Sequence, residues 1–185
     1  MDYQIRKATL ADRAAIEALI AASARGLSLG DYTARQIEAA LGGAFGVDSS
    51  LILDGTYFVA EGAGGALAGC GGWSRRRTLF GGDRYAARDP GYLDPRTEPA
   101  KIRAFFVHPG WARRGVGGAI LETCEREAEA HGFRALELMA TLPGVRLYAA
   151  RGYAAGARVE YEMADGVTIE FVPMRKELKE VMSDE

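Results

Sequence analysis

The sequence predicts an α/β domain of the α+β class, in which helices flank a central mixed sheet that is mostly antiparallel. Residues 101–140 follow the order strand, helix, strand, which is typical of a βαβ unit with two parallel strands. Residues 56–74 and 153–178 each resemble two strands joined by a turn, and such hairpins are antiparallel. Hydrophobic residues make up 48% of the 185 positions, so we expect residues 1–185 to fold around one core as a single domain.

The chain begins with a predicted strand and two predicted helices. The stretch YQIRKAT (3–9) alternates in the manner of a strand, and Thr9 then opens TLAD, which is similar to a helix capping box. Apolar residues recur at helical spacing over the following turns, so one face of this helix is expected in the core. A second helix is predicted from Thr33 to the pair Gly42-Gly43, because glycine is favoured just past a helix end.

A hairpin and a long loop follow. TYFVAE (56–61) and ALAGCGGWS (66–74) are predicted strands separated by the glycines of GAGG. Residues 75–99 repeat Gly, Asp, Pro and Arg without periodicity, which indicates a surface loop. Loops of this length in compact domains are usually functional or mobile.

The second half contains the predicted βαβ unit. KIRAFFV (101–107) is its first strand and is ended by HPGW, since proline withholds a ladder hydrogen bond. Residues 116–130 have apolar positions on one side and are predicted to form an amphipathic helix on the sheet. The remaining predicted elements are a strand at 134–140, a short helix at 144–152 and a final hairpin that turns at Asp165-Gly166.

Charge and composition exclude several classes of function. A net charge of -2 provides no general basic field, so nucleic acid and anionic membranes are not expected partners. The N-terminus lacks the apolar stretch of a signal peptide, and no segment approaches eighteen uninterrupted apolar residues, so we expect a cytoplasmic protein. Cys70 and Cys124 have no Cys or His at ligand spacing, which argues against a disulfide framework and a metal site.

The segment VHPGWARRGVGGAIL (107–121) places small and basic residues immediately before the helix predicted at 116. The first amides of a helix have no internal partners, and the helix dipole adds partial positive charge. Glycines let an anion approach, and Arg113 and Arg114 add charge, so this segment predicts a phosphate or pyrophosphate site. A P-loop is disfavoured because Gly115 is followed by Val116 instead of lysine, and the dinucleotide fingerprint also fails.

Two stretches resemble the GNAT superfamily of N-acetyltransferases. FFVHPGWARRGVGGAIL is similar to its acetyl-CoA signature, a strand ending in V-x-P and then a [QR]-x-x-G-x-[GA] loop, and RLYAARGY is similar to its fYek-GF element. The order of elements over nearly the whole chain also matches, so the resemblance implies a GNAT-like acyl-CoA N-acyltransferase fold. With Gly115 and Gly117 as the signature glycines, Ala112 stands where Gln or Arg is usual. A frame that starts at Arg114 fits the pattern but shifts the loop by two residues.

The resemblance implies transfer of the acetyl group of acetyl-CoA to a primary amine in a ternary complex, without a metal. The backbone of Phe106 and Val107 would pair with the pantetheine arm like an added strand. Tyr148 would act as the general acid that protonates the departing thiolate. The expected cofactor-binding residues are Phe106, Val107, Arg113, Arg114, Gly115, Val116, Gly117, Gly118 and Ala119.

The base that accepts the proton of the amine is less well specified. Glu98 precedes the strand at 101 and is the first candidate, although a glutamate beside Pro99 is more often a solvated loop residue. Glu137 is a weaker candidate. His108 is expected in a turn and His131 at a helix end.

Three functions stay open at this point. The favoured one is an N-acetyltransferase of small-molecule amines, and a homodimer is compatible with it. The alternatives are a non-catalytic CoA-binding regulatory module and an enzyme that acetylates a protein N-terminus or lysine. A catalytically inactive module would be expected to lose Tyr148 or the glycines, and this chain keeps both.

Overall fold

The computed structural model describes residues 2–85, 89 and 91–179, and these residues form eight strands and five α-helices. The strands are β1 (Tyr3–Lys7), β2 (Tyr57–Gly62), β3 (Leu67–Ser74), β4 (Ala100–Val107), β5 (Ala135–Thr141), β6 (Ala154–Ala155), β7 (Val159–Glu162) and β8 (Thr168–Glu177). The helices are α1 (Arg13–Leu27), α2 (Ala34–Leu41), α3 (Ser49–Leu53), α4 (Val116–Ala130) and α5 (Val145–Ala150). One mixed, mostly antiparallel sheet has the order β1-β2-β3-β4-β5-β8-β6, with β7 also paired to β8, so the predicted fold class is confirmed.

Capping interactions place the first two helices where the sequence predicts them. The Asp12 carboxylate accepts from the Thr9 amide at 2.8 Å, and a 3₁₀ turn at Leu10–Asp12 leads into α1. Thr33 Oγ1 accepts from the Gln36 amide at 3.2 Å, which satisfies one unpaired donor at the start of α2. The short helix α3 was not predicted. Its N-cap is Asp48, whose carboxylate accepts from the Ser50 amide at 2.9 Å.

The predicted hairpins are confirmed. Strands β2 and β3 pair antiparallel, as do β7 and β8. At the turn between β7 and β8, Asp165 and Gly166 have φ of 59° and 68°, the left-handed conformation that Asp-Gly favours in tight hairpins. The predicted 75–99 loop contains an isolated bridge between Arg76 and Tyr92, and its residues 86–88 and 90 lie outside the described residues.

Helices cover both faces of the sheet because side chains alternate along its strands. Phe58 and Ala60 of β2 pack in the core under α4, whereas Tyr57 and Val59 pack in the core under α1 and α2. Complete burial of a side chain such as Val59 contributes roughly 1.5–3 kcal/mol, so these two layers hold the sheet between them.

The βαβ unit is present, but its parallel strands separate early. β4 and β5 pair only at Ala100↔Leu136 and Lys101↔Glu137. Beyond Lys101, β4 keeps its pairing with β3, while β5 keeps its pairing with β8. A gap therefore opens in the middle of the sheet toward Val107. Among the described residues, no helix combines the length and the apolar composition that a membrane-spanning segment requires.

Candidate active site

The site forms where β4 and β5 separate. β4 pairs with β3 as far as Val107, which lies opposite Gly69. The hydrogen-bonding groups along this edge of β4 therefore already have a strand partner. On its other edge, pairing ends at Lys101, and the following residues have no strand partner in the part of the chain that the structure describes. Backbone N–H and C=O groups are strong hydrogen-bonding groups, so this edge can pair with an extended ligand as with an added strand.

A β-bulge in β4 directs the side chains at the gap. The β3–β4 register shifts between Cys70 and Gly72, and Ala104 adopts a φ of 53°. Its carbonyl oxygen accepts from Tyr57 Oη at 2.9 Å, which holds the bulge in place. A bulge bends its strand and re-aims the next side chains. Phe105 consequently lies over Gly71, where a β-carbon would come within 2.6 Å of its ring.

A cavity of about 410 Å³, here called the splay cavity, occupies the gap. Its walls come from α1, the end of β4, the start of α4, the end of β5 and α5. The lining residues are Ser23, Ala24, Leu27, Ser28, Phe45, Phe105, Phe106, Val107, Trp111, Ala112, Arg113, Gly115, Val116, Gly117, Gly118, Thr141, Pro143, Gly144, Leu147 and Tyr148. Seven of the nine predicted cofactor-binding residues lie together here: Phe106, Val107, Arg113, Gly115, Val116, Gly117 and Gly118.

Free amides concentrate at the start of α4. Arg113 and Gly115 have φ of 62° and 79°, which turns the loop into the helix. The first amide bonded into the helix is that of Ala119, which donates to the Gly115 carbonyl at 3.0 Å. The amides of residues 113–118 have no backbone acceptor among the described residues. Six adjacent N–H groups without acceptors, at the positive end of the helix dipole, are an arrangement that suits an anion.

The three glycines at this helix start have three different roles. Gly115 needs its left-handed conformation, and nothing lies within 4 Å of a β-carbon there. At Gly117 a β-carbon would be 3.0 Å from Leu147 Cδ2, so this glycine lets α5 approach α4. At Gly118 it would be 2.9 Å from the guanidinium carbon of Arg151. Gly117 and Gly118 therefore have packing roles beside the predicted one of admitting an anion, which stays a prediction.

Three arginines surround the free amides. Arg113 lines the splay cavity, the Arg114 guanidinium lies over the Trp111 ring at 5.2 Å, and Arg151 lies on Gly118. None of the three forms an ion pair with a carboxylate in the described part of the chain. The start of α4 is therefore positively charged although the whole chain is slightly acidic.

Tyr148 lies on α5 at the inner end of the splay cavity. The side chain is 7% exposed, and its ring packs edge-on against Phe105 and Tyr153, with centroids 6.2 Å and 5.8 Å away. Burial raises the pKa of the Tyr148 phenol well above its ordinary value, because desolvation disfavours the phenolate. The phenol therefore stays protonated at neutral pH.

A smaller cavity of about 60 Å³, here called the aromatic chamber, adjoins the splay cavity. The two share Phe45, Phe105, Phe106, Thr141 and Tyr148. The other residues lining the chamber are Ala44, Gly46, Leu79, Phe80, Gly81, Ile102, Ala104, Leu138, Met139 and Phe171. A ligand in the splay cavity and a second molecule in the chamber would meet beside Tyr148.

The predicted base Glu98 lies elsewhere. Its carboxylate pairs with Arg77 and accepts from the Asp94 amide at 2.8 Å, and both interactions lower its pKa. It lies before the start of β4 and lines neither cavity. This placement argues against Glu98 as the base.

The other candidates also lie outside the two cavities. Glu137 pairs with Lys101 at the closed end of the β4–β5 pair. Ala119 was predicted to bind the cofactor, but its amide is already bonded within α4 and offers no free backbone donor. Arg114 does not line the splay cavity, although its guanidinium lies over the ring of Trp111, which does. His108 accepts from the Gly110 amide at 3.0 Å and is a turn residue, as expected.

The contributions of α1 and Arg151 were not predicted from the sequence. α1 reaches the splay cavity because Gly26 lets it cross the loop closely, with a β-carbon position only 2.5 Å from Pro109 Cγ. A glycine inside an otherwise regular helix is the signal that indicates such a crossing. No group of three or more His, Cys, Asp or Glu residues able to hold a metal ion occurs within residues 2–85, 89 and 91–179.

Comparison with known proteins identifies a family model and solved structures of the same fold. The model described as the acetyltransferase (GNAT) domain matches residues 84–178, just over half of the chain. No curated protein matches the chain in sequence.

Three solved structures illustrate the likeness. A GCN5-related N-acetyltransferase from Rhodopseudomonas palustris is 23% identical, with a TM-score of 0.70 over 96% of this chain and 97% of that one. The putative acetyltransferase YncA from Salmonella typhimurium, solved with acetyl-CoA, is 18% identical, with a TM-score of 0.63 over 100% and 99%. The PaiA N-acetyltransferase from Thermoplasma acidophilum, in complex with coenzyme A, is 14% identical, with a TM-score of 0.61 over 96% and 99%. At these identities the likeness shows the fold.

Proposed function

Since the chain belongs to the acetyltransferase (GNAT) domain family, we propose that it transfers the acetyl group of acetyl-CoA to a primary amine of a small molecule. The splay cavity is the observation that carries this proposal. Its wall combines the free edge of β4, the unbonded amides of residues 113–118 and the protonated phenol of Tyr148. These three features suit an extended ligand with a phosphate at one end and a reacting carbonyl at the other.

The cofactor would lie along this wall. The amides of residues 113–118 would bind the pyrophosphate, with Arg113 and Arg151 supplying mobile charge. The free edge of β4 at Phe106 and Val107 would pair with the amides of the pantetheine arm. YncA with its acetyl-CoA and PaiA with its coenzyme A share this fold, which supports the placement.

Acetyl-CoA supplies a thioester whose acetyl group passes to the amine as the C–S bond breaks and the thiol leaves. Tyr148 borders both cavities, which supports a role in which its phenol would donate a hydrogen bond to the departing sulfur. The raised pKa of Tyr148 lies above the value of about 8.5 for a free thiol. Transfer of a proton from Tyr148 to the thiolate, without a proton returned to the phenol, is therefore unfavourable. Tyr148 therefore relays a proton: it donates one to the sulfur and regains one that the amine releases.

No carboxylate lines either cavity among the described residues, so the amine is expected to enter without its extra proton. This replaces the role that the sequence suggested for Glu98. The predicted homodimer and the cytoplasmic location stay predictions.

An assay of acetyl transfer tests the proposal. Purified protein is incubated with acetyl-CoA and single amines, and both thiol release and acetylated amine are measured. Equal amounts of the two products, dependent on the amine, are expected. If acetyl-CoA binds in calorimetry while no amine or protein substrate is acetylated, the chain is a CoA-binding regulatory module. If acetyl-CoA does not bind, the assignment of the splay cavity is wrong.

A further inference from the structure

An aromatic cluster surrounds the chamber that adjoins the proposed reaction centre. The Phe80 ring lies at its middle, with centroids of Tyr85, Tyr161 and Phe171 at 4.9 Å, 4.8 Å and 5.1 Å. Phe45 continues the cluster and contacts Phe106 edge-on, at a centroid distance of 5.7 Å. These rings come from the 44–46 segment, the 75–99 loop, β4, β7 and β8, which together build one apolar wall.

No charged side chain lines the chamber in the described part of the chain. The buried charges of Arg103 and Asp48 are paired with each other: Arg103 Nη2 donates to Asp48 Oδ2 at 3.0 Å and to the Gly81 carbonyl at 2.8 Å. The Arg103 guanidinium therefore stabilises the loop that carries Phe80, while the chamber itself stays apolar. An ionised group placed inside would be desolvated without a counterion, which is strongly unfavourable.

We propose that the acceptor is a primary amine carried on an apolar, ring-bearing body that has no second charged group. This inference rests on the proposed acetyl transfer and specifies its substrate class. The amine nitrogen would point toward Tyr148, and the body would pack on Phe80 and Phe171. Rings pack well edge-on against other rings, and burial of their area drives binding.

The size of the chamber supports the same substrate class. Its volume of about 60 Å³ accommodates the amine-bearing end of a molecule. Leu79 lines the chamber and is itself 38% exposed, so this side chain extends the chamber wall toward solvent. The rest of the substrate molecule would therefore extend past Leu79 toward solvent. A second charged group on it would also contact an apolar side chain there.

Aromatic faces attract cations as well, so a charged acceptor is the alternative that the test must address. An ammonium has no lone pair for attack, and the chamber offers no carboxylate to remove its proton. A substrate with a second cation, such as agmatine, or with carboxylates, such as glutamate, is therefore expected to be poor.

A comparison of four acceptors tests the inference: 2-phenylethylamine, n-butylamine, agmatine and glutamate. We expect kcat/KM for 2-phenylethylamine to exceed that for agmatine and glutamate at least tenfold, with n-butylamine between them. A kcat/KM for agmatine or glutamate equal to or above that for 2-phenylethylamine overturns the inference and leaves acetyl transfer intact. Acetyl-CoA binding without acetylation of any acceptor overturns the proposed function instead.

A new charge at the mouth of the chamber gives a second test. Leu79→Asp places a carboxylate there without removing a fully buried side chain, so the ratio of kcat/KM for agmatine to that for 2-phenylethylamine should rise at least tenfold. Leu53→Asp is the matched control, because Leu53 is 71% exposed on α3 and lines neither cavity. An unchanged ratio in folded Leu79→Asp that still binds acetyl-CoA means that the acceptor does not pass Leu79, which contradicts the inference.

Discussion

The guanidinium group of Arg151 lies against the α-carbon of Gly118, so that a β-carbon at position 118 would stand 2.9 Å from the guanidinium carbon. This contact brings a cation to the positive end of the α4 dipole, where a cation by itself is unfavourable. Arg151 forms no ion pair with a carboxylate among the described residues. A phosphate bound by the helix amides would resolve this repulsion, so the pair Arg151–Gly118 is best explained as part of an anion site.

Arg151→Ala should weaken acetyl-CoA binding about tenfold, as expected for the loss of one charge-assisted contact at a partly exposed site. Calorimetry at low and high salt measures the effect, which should shrink as salt increases. Arg146→Ala is the matched control, because Arg146 is an exposed arginine of the same helix that does not line the cavity. Equal affinities for the two variants would remove Arg151 from the site.

Gly118→Ala should reproduce much of that effect, because the added methyl group occupies the place of the Arg151 guanidinium. If the glycine acts through Arg151, the double variant Gly118→Ala/Arg151→Ala should bind acetyl-CoA no more weakly than Arg151→Ala alone. Additive losses would show that Gly118 contacts the ligand itself.

Tyr148→Phe should lower kcat by roughly 10²-fold or more and leave acetyl-CoA affinity nearly unchanged, since only the proton-donating hydroxyl is lost. The raised pKa of Tyr148 also predicts that kcat does not fall from ionisation of this phenol below about pH 10. A change in kcat of threefold or less would show that Tyr148 only packs against Phe105.

Asp48→Asn should destabilise the fold by about 3–5 kcal/mol, because it removes the carboxylate charge that pairs with the buried Arg103 guanidinium. Asparagine keeps an oxygen for the Ser50 amide, so the N-cap of α3 is retained and the charge is tested alone. Urea unfolding measures the change. Asp94→Asn removes an exposed ion pair with Arg96 and should leave the unfolding midpoint unchanged.

Alkaline pH should destabilise the protein. Burial raises the pKa of Cys70 from 9.0 to about 12 and that of Tyr32 from 10.0 to about 12. Above about pH 9 the unfolded chain therefore binds fewer protons than the folded chain, so the free energy of unfolding falls as pH rises toward 12. Urea midpoints over this range measure the slope. Cys70→Ala should flatten it, and an unchanged slope would show that the thiol titrates normally.

The sequence predicted most elements because their signals are local. The helix-start residues Thr9 and Thr33 and the hairpin turn at Asp165-Gly166 each determine structure within a few residues of themselves. The amphipathic pattern of α4 is local in the same sense. The free amides of residues 113–118 could equally be predicted, since unpaired amides at a helix start follow from the backbone alone. α3 escaped prediction because its five residues are too few to show periodicity.

What the sequence determined by itself is thus the fold class, the order of the elements, the family resemblance and the position of the free amides at the start of α4. Only the tertiary structure decided how these parts meet. The separation of β4 from β5, the contact of Arg151 with Gly118 and the aromatic chamber each join residues that are far apart in sequence. The placement of Glu98 away from the cavities was decided in the same way. Such contacts depend on the packing of the whole sheet, and no local pattern of residues encodes them.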